Sequence, residues 1–319
     1  MDKIRVGVIG VGSLGQHHAR VYASLPEVEL AGVVDALPER AEEVAARFGT
    51  IAYSDYTELF DKVDAVSIAA PTTLHAEIGA HCLREGIHVL AEKPIAHTLE
   101  AADQLIRAAR ENDKVLQIGH LERFNPAFVA LREIVTRPRF FEAHRMGLFS
   151  PRSLDVDVIL DLMIHDLDII SLLVPSAVEK ITAVGIAILS SRIDIANARI
   201  QFEDGCVANI TASRVSMEKI RKLRLFQKEE YISLDYTRQD LAVFGLKHNA
   251  GSPLPEIVNR KIEPEKKEPL LLELISFLEA VRGERPVECG GDEGRRALGL
   301  AMQIRDQAES VQAREGCTL

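Results

Sequence analysis

The chain has 319 residues, of which 47% are hydrophobic and 27% charged, enough for two ordinary domains with a core each. Its formal net charge of −10 disfavours nucleic acid and anionic membrane as partners, and any anionic ligand requires a local basic pocket. No apolar stretch reaches the length of a membrane span, and Met1-Asp2-Lys3-Ile4-Arg5 runs into a strand-like segment without the apolar core of a secretory signal. Cys82, Cys206, Cys289 and Cys317 form no CxxC pair, so neither a metal site nor a disulfide framework is expected, and a cytoplasmic location is.

The first 120 residues alternate between two periodicities. Strand-like runs at Ile4–Ile9, Leu30–Val34, Ala65–Ala69, His88–Leu90 and Val115–Ile118 are separated by helical patterns at Leu14–Leu25, Glu39–Phe48, Leu74–Glu85 and Leu99–Asn112. Short connections between apolar strands and helices predict an α/β Rossmann domain with a doubly wound parallel sheet over residues 1–120. Beyond Gly119 helices are expected at Pro126–Val135 and Val158–Leu173. Strands follow at Ile181–Leu189, Ala196–Phe202, Cys206–Ser213, Lys222–Gln227, Tyr231–Tyr236 and Asp240–Phe244. Glu203-Asp204-Gly205 reads as a tight turn. A surface loop is expected at Asn249–Glu268, then helices at Pro269–Arg282 and Asp292–Glu315. Residues 121–319 thus read as an α+β domain with a large, mostly antiparallel sheet, one face of which would expose apolar area unless a homo-dimer or homo-tetramer covered it.

Gly10-Val11-Gly12-Ser13-Leu14-Gly15 matches GxGxxG between a strand and a helix, and Asp35 lies twenty residues further on at the end of the second strand. Gly10 permits the tight turn, Gly12 lets the backbone approach a pyrophosphate, and Gly15 allows helix to pack on strand. Ser13 and Leu14 present their backbone at the helix N-terminus, where free N–H groups favour an anion. Asp35 would accept from ribose hydroxyls and repel a 2′-phosphate. The next basic residue is Arg40, so NAD is favoured over NADP.

Two segments follow strands on the ligand-binding edge of such a sheet: Ala70-Pro71-Thr72, with His75 nearby, and Glu92-Lys93-Pro94. Further on, Asp161 and His165 are spaced i, i+4 in an apolar run, so on a helix they share a face. A carboxylate beside an imidazole can orient it and raise its pKa, and a neutral imidazole can take a proton from a hydroxyl. The same spacing also suits the solvent side of an ordinary helix.

With these motifs in this order the chain resembles the Gfo/Idh/MocA oxidoreductase family over essentially its whole length. The resemblance implies catalytic roles for Lys93 and His165, with Asp161 in support, and a cofactor site made from Gly10, Gly12, Ser13, Leu14, Gly15, Asp35, Ala70, Pro71, Thr72, His75, Glu92, Lys93 and Pro94. It also implies Arg123 near the cofactor. The family often carries a glycine-rich turn before the Asp-x-x-x-His helix; here Ser153-Leu154-Asp155-Val156-Asp157 stands there instead.

Gly119-His120-Leu121-Glu122-Arg123-Phe124-Asn125-Pro126-Ala127 is similar to one branch of the family, whose members oxidise the 3-hydroxyl of UDP-N-acetylglucosamine or its uronic acid. The substrate so implied is a UDP-sugar; a free sugar or polyol is the alternative. Cations for a pyrophosphate could come from Arg145, Arg152, Arg214 or the cluster Lys219, Arg221, Lys222 and Arg224, of which a strand presents only alternate members to one face. A non-catalytic NAD-binding regulator would not need both Lys93 and His165. A glycoside hydrolase with retained NAD stays open.

Overall fold

The apolar runs of the first 120 residues stack as parallel strands in a computed structural model that describes residues 3–149, 156–248 and 254–314. Strands β1 (Ile4–Ile9), β2 (Val28–Val34), β3 (Ala52–Tyr53), β4 (Ala65–Ile68), β5 (His88–Glu92) and β6 (Leu116–Gly119) form one sheet in the order β3-β2-β1-β4-β5-β6. Every pairing is parallel. The order reverses between β1 and β4, which opens a crevice at the carboxyl ends of these two strands. β4 is buried at all of its residues, as expected for a strand covered on both faces. The connecting helices are α1 (Gly15–Ser24), α2 (Pro38–Phe48), α3 (Thr72–Arg84) and α4 (Leu99–Glu111). Their ends have chemical causes: Pro38 opens α2 and Gly49, at φ +69°, closes it, while the Thr98 hydroxyl accepts from the Ala101 N–H to start α4. The two-residue strand β3 was not expected, being too short to show a period.

The second sheet follows α5 (Pro126–Ile134). It contains β7 (Phe140–Met146), β8 (Val178–Ile186), β9 (Ile195–Phe202), β10 (Val207–Ser213), β11 (Ile220–Gln227), β12 (Glu230–Asp235), β13 (Asp240–Lys247) and β14 (Glu256–Ile262). Their order is β14-β13-β12-β11-β7-β10-β9-β8, antiparallel except for β7 beside β10. Two strands correct the sequence reading. β7 was missed because Phe-Phe-Glu-Ala-His-Arg-Met mixes charge into its alternation. β14 lies inside the expected surface loop, its polar residues fitting an edge strand. The Glu203–Gly205 turn joins β9 and β10, with Gly205 at φ +83° and the Cys206 N–H bonded to Asp204 Oδ1 at 3.0 Å. Helix α6 (Ile164–Leu173) is preceded by a π-helical turn at Ile159–Met163.

One face of this sheet carries Phe141, Ala143, Ala198, Ile200, Ile210, Leu223 and Leu225, all buried. The other is of two kinds. Over β9 and β10 it is polar, with Asn197 bonded to Thr211 and Arg199 to Asn209. Over β7, β11, β12 and β13 it carries an aromatic ladder, Phe140–Phe226–Tyr231–Phe244, with ring centroids 4.9–5.7 Å apart.

Helices α7 (Pro269–Val281) and α8 (Gly291–Arg314) end the described chain. The contacts divide it into two compact units, Met1–Leu121 with Glu268–Leu298, and Glu122–Lys267 with Gly299–Leu319. The sequence suggests one break, after residue 120; the return of Glu268–Leu298 to the first unit has a packing cause. Leu274, Phe277 and Leu278 of α7 complete a core with Val6, Val8, Tyr22 and Leu90. Among the described residues no helix is long and apolar enough to cross a membrane.

Candidate active site

The glycine turn sits at the end of β1, beside the reversal of strand order. Gly10 has φ +83°, and a Cβ there would meet the Ala70 backbone N at 2.7 Å. At Gly15 a Cβ would come within 1.8 Å of the Gly10 carbonyl oxygen, so any side chain would push α1 off the turn. A Cβ on Gly12 would meet only Arg40 Nη1, at 3.7 Å, leaving a concave backbone surface. The first turn of α1 holds no acidic residue, and no side chain caps it. A helix N-terminus and absent side chains suit a diphosphate. Gly12 is half-buried, while Ser13 and Leu14 are exposed.

Asp35 follows β2 and lies beneath this turn. Its carboxylate accepts from the Val11 and Leu37 N–H groups, each at 3.0 Å, and Arg40 Nη1 stands 3.4 Å away. Arg40, separated by five residues in sequence, therefore belongs to the site as well. It leaves Asp35 partly neutralised.

The two loops after β4 and β5 supply accessible and buried members. Ala70, Pro71, Thr72 and Lys93 are exposed or half-buried. His75 and Glu92, expected to contact the cofactor, are instead buried behind these loops. The His75 ring spans the Ala70 carbonyl, 2.8 Å from Nε2, and the Pro94 carbonyl, 2.9 Å from Nδ1. Burial lowers its pKa, and a neutral ring has one N–H, so it donates to one carbonyl at a time and braces both loops. Glu92 Oε1 meets His18 Nε2 of α1 at 3.0 Å, and Glu92 Oε2 accepts the Lys93 N–H at 3.2 Å. Burial alone would raise the Glu92 pKa; the bond and charge of His18, with Lys93, hold it below the ordinary value. Gly119 makes room for this carboxylate, since a Cβ there would lie 3.0 Å from Glu92 Oε2.

Neither His18 nor Glu273 was singled out in the sequence. Glu273, on α7, is fully buried, and neither of its carboxyl oxygens has a hydrogen-bond partner among the described residues. Burial, then the charge of Glu92, pushes its pKa well above the usual carboxylate range. Both causes favour its neutral form.

In the second unit Asp161 lies in the π-helical turn and His165 in the first turn of α6, both half-buried. π-turns recur at functional sites because they widen one turn and re-aim its side chains. Three arginines considered for ligand binding are tied to buried carboxylates. Arg123 is held by Asp168 through two bonds of 2.8 and 2.6 Å. Arg145 lies between Asp166, at 2.8 Å, and Glu122, at 2.7 Å. Arg214 bonds Asp194 at 2.8 Å. Removing one partner of such a pair strands a buried charge. Arg152 and Ser153-Leu154-Asp155 lie outside the described residues.

Residues 4–120 match the model of the Gfo/Idh/MocA group, described as an oxidoreductase family with an NAD-binding Rossmann fold. The chain is 41% identical, over 97% of its length and 99% of the relative, to UDP-N-acetylglucosamine 3-dehydrogenase of Acidithiobacillus ferrooxidans. A solved structure of that enzyme superposes with a TM-score of 0.90 at 40% identity, covering 97% of this chain and 99% of that one. Myo-inositol 2-dehydrogenase of Thermotoga maritima is 27% identical, with 96% of each chain covered.

Proposed function

The chain belongs to the Gfo/Idh/MocA oxidoreductase family, with an NAD-binding Rossmann fold, and on that footing we propose that it oxidises the 3-hydroxyl of UDP-N-acetylglucosamine to a 3-keto group. The observation that carries the substrate is the 41% identity over 97% of the chain to an enzyme of that name. The inositol reading rests on the lower identity of 27%. The presence of both Lys93 and His165 favours an enzyme over a regulator.

Bound NAD would supply the acceptor for the hydride of the carbinol carbon. In this reading the residues divide the rest of the work. Lys93 donates a hydrogen bond to the reacting hydroxyl and stabilises the negative charge that develops on its oxygen. His165 takes the hydroxyl proton, and Asp161 orients the imidazole and favours its charged form. The C–O single bond would become C=O, with the carbinol hydrogen lost as hydride and the hydroxyl proton ending on His165. Backbone of Gly10, Gly12, Ser13, Leu14 and Gly15 would hold the diphosphate, and Asp35 the ribose. Ala70, Pro71, Thr72, Lys93 and Pro94 serve the nicotinamide side. His75, Glu92 and Arg123 act one step back, through Ala70 and Pro94, Lys93 and Asp168 respectively.

The protein works in the cytoplasm in this reading, and copies associate through the aromatic part of the open sheet face. Incubation with NAD and UDP-N-acetylglucosamine, followed by mass spectrometry, tests the reaction. A sugar nucleotide two hydrogens lighter is expected. An unchanged nucleotide beside oxidised myo-inositol would refute it.

A further inference from the structure

Strand alternation sorts the basic cluster of β11. Lys222 and Arg224 point to the open face of the sheet, where Lys222 meets Asp235 at 3.8 Å and Arg224 meets Glu142 at 3.3 Å. Arg221 points the opposite way, onto the face that carries buried Leu223 and Leu225. Its cross-strand neighbours there are Arg145 on β7 and Tyr236 just beyond β12. Arg145 stacks over the Tyr236 ring, its guanidinium 5.2 Å from the centroid.

Arg221 differs from the buried arginines of the second unit. Arg123, Arg145 and Arg214 each hold a buried carboxylate. Among the described residues the Arg221 guanidinium has no hydrogen bond and no carboxylate within 4.0 Å. It is half-buried and next to a second guanidinium, and the nearest acids, Asp166 and Glu122, are taken by Arg145. The charge of Asp161 also reaches it, which puts Arg221 on the side of the fold that carries the proposed catalytic helix. A second polar group here lacks a partner: the Tyr236 hydroxyl is buried and bonded to nothing among the described residues. A partly desolvated guanidinium beside a like charge is costly until an anion completes it.

We propose that Arg221 is the anion ligand of the substrate pocket, and that its planar fork takes the phosphate oxygens next to the sugar. An acidic chain that handles a phosphorylated sugar needs such a local cation, and Arg221 is the member of the β11 cluster that strand parity turns inward. That the anion is a sugar-bound phosphate rests on the UDP-N-acetylglucosamine reading; that the unpaired Arg221 guanidinium takes an anion does not.

Calorimetric titration of the NAD-loaded protein separates the two. The probes are UDP-N-acetylglucosamine, N-acetylglucosamine 1-phosphate and N-acetylglucosamine, against wild type, R221Q, R221K and R224Q. Wild type and R224Q bind the phosphorylated probes more tightly than the plain sugar. R221Q loses that advantage by roughly 10- to 100-fold with binding of the plain sugar unchanged, and R221K falls between, keeping charge but not the fork. Arg221 gives up no protein hydrogen bond on substitution and R221Q removes a like charge beside Arg145, so neither variant melts below the wild type. An R221Q protein that retains the full phosphate preference, or a wild type without one, overturns the proposal. A wild type that prefers the sugar phosphate but not the nucleotide sugar, with that preference lost in R221Q, sustains Arg221 and removes the UDP-sugar reading instead.

Discussion

The Glu92 carboxylate bridges two residues far apart in sequence: His18 Nε2 lies 3.0 Å from one oxygen, and the Lys93 N–H lies 3.2 Å from the other. The backbone of the proposed catalytic lysine is thus fixed from behind by a hydrogen-bonded pair that reaches to α1. Replacing His18 with Gln keeps a donor but moves it away from the ring's position. The expected result is a kcat lowered about tenfold with little change in KM or NAD affinity, because the lysine is misplaced rather than lost. Equal loss in kcat and in NAD binding would mean that His18 only supports the fold.

Glu273 makes stability depend on pH. Burial favours the protonated carboxyl in the folded state, while the unfolded chain releases that proton above its ordinary pKa of about 4.5. The folded state then binds more protons, so the contribution of Glu273 is fully present at low pH and is lost as pH rises toward the folded-state value. Glu273→Gln removes this dependence. Denaturant melts from pH 5 to 8 should show wild type losing stability relative to the variant by up to about 1.4 kcal/mol per pH unit. Parallel curves would show that Glu273 is ionised in the folded protein.

Asp35 has two duties, accepting the Val11 and Leu37 N–H groups and facing the proposed ribose site. Asp35→Ala should weaken NAD more than NADP, since Arg40 is released from its partner 3.4 Å away and no carboxylate remains to repel a 2′-phosphate. It should also cost about 1–3 kcal/mol of stability, because the Val11 N–H is buried. An unchanged NAD to NADP preference would contradict the ribose role.

The aromatic ladder ends at Phe244, which is 39% exposed, beside Leu246 at 42%. Phe244→Glu places charge in that patch. Sedimentation should show a wild-type dimer or tetramer shifting toward smaller species in the variant. A monomeric wild type would refute association through this face.

Much of the first unit was legible in the sequence because its signals are local. Gly10, Gly15 and Asp35 lie within one βαβ unit, and their spacing alone specifies turn, close packing and carboxylate. The buried members of the site were not legible. His18 and Glu92 are separated by 74 residues, and nothing near either marks the other. Glu273 reaches the Rossmann unit only because α7 returns to it. Arg145 and Arg214 read as phosphate ligands by residue type, yet each is neutralised by an acid on another element, Asp166 and Asp194. In β11, by contrast, a period of two already divides Arg221 from Lys222 and Arg224; the sheet register is needed to say which face is covered.

The most direct measurement is absorbance of reduced nicotinamide with NAD and UDP-N-acetylglucosamine, beside N-acetylglucosamine and myo-inositol, for wild type and Lys93→Ala. NADH should form with the nucleotide sugar and wild type alone, while Lys93→Ala still binds NAD. NADH from myo-inositol only, or undiminished turnover in Lys93→Ala, would contradict the proposed reaction and the role of its lysine.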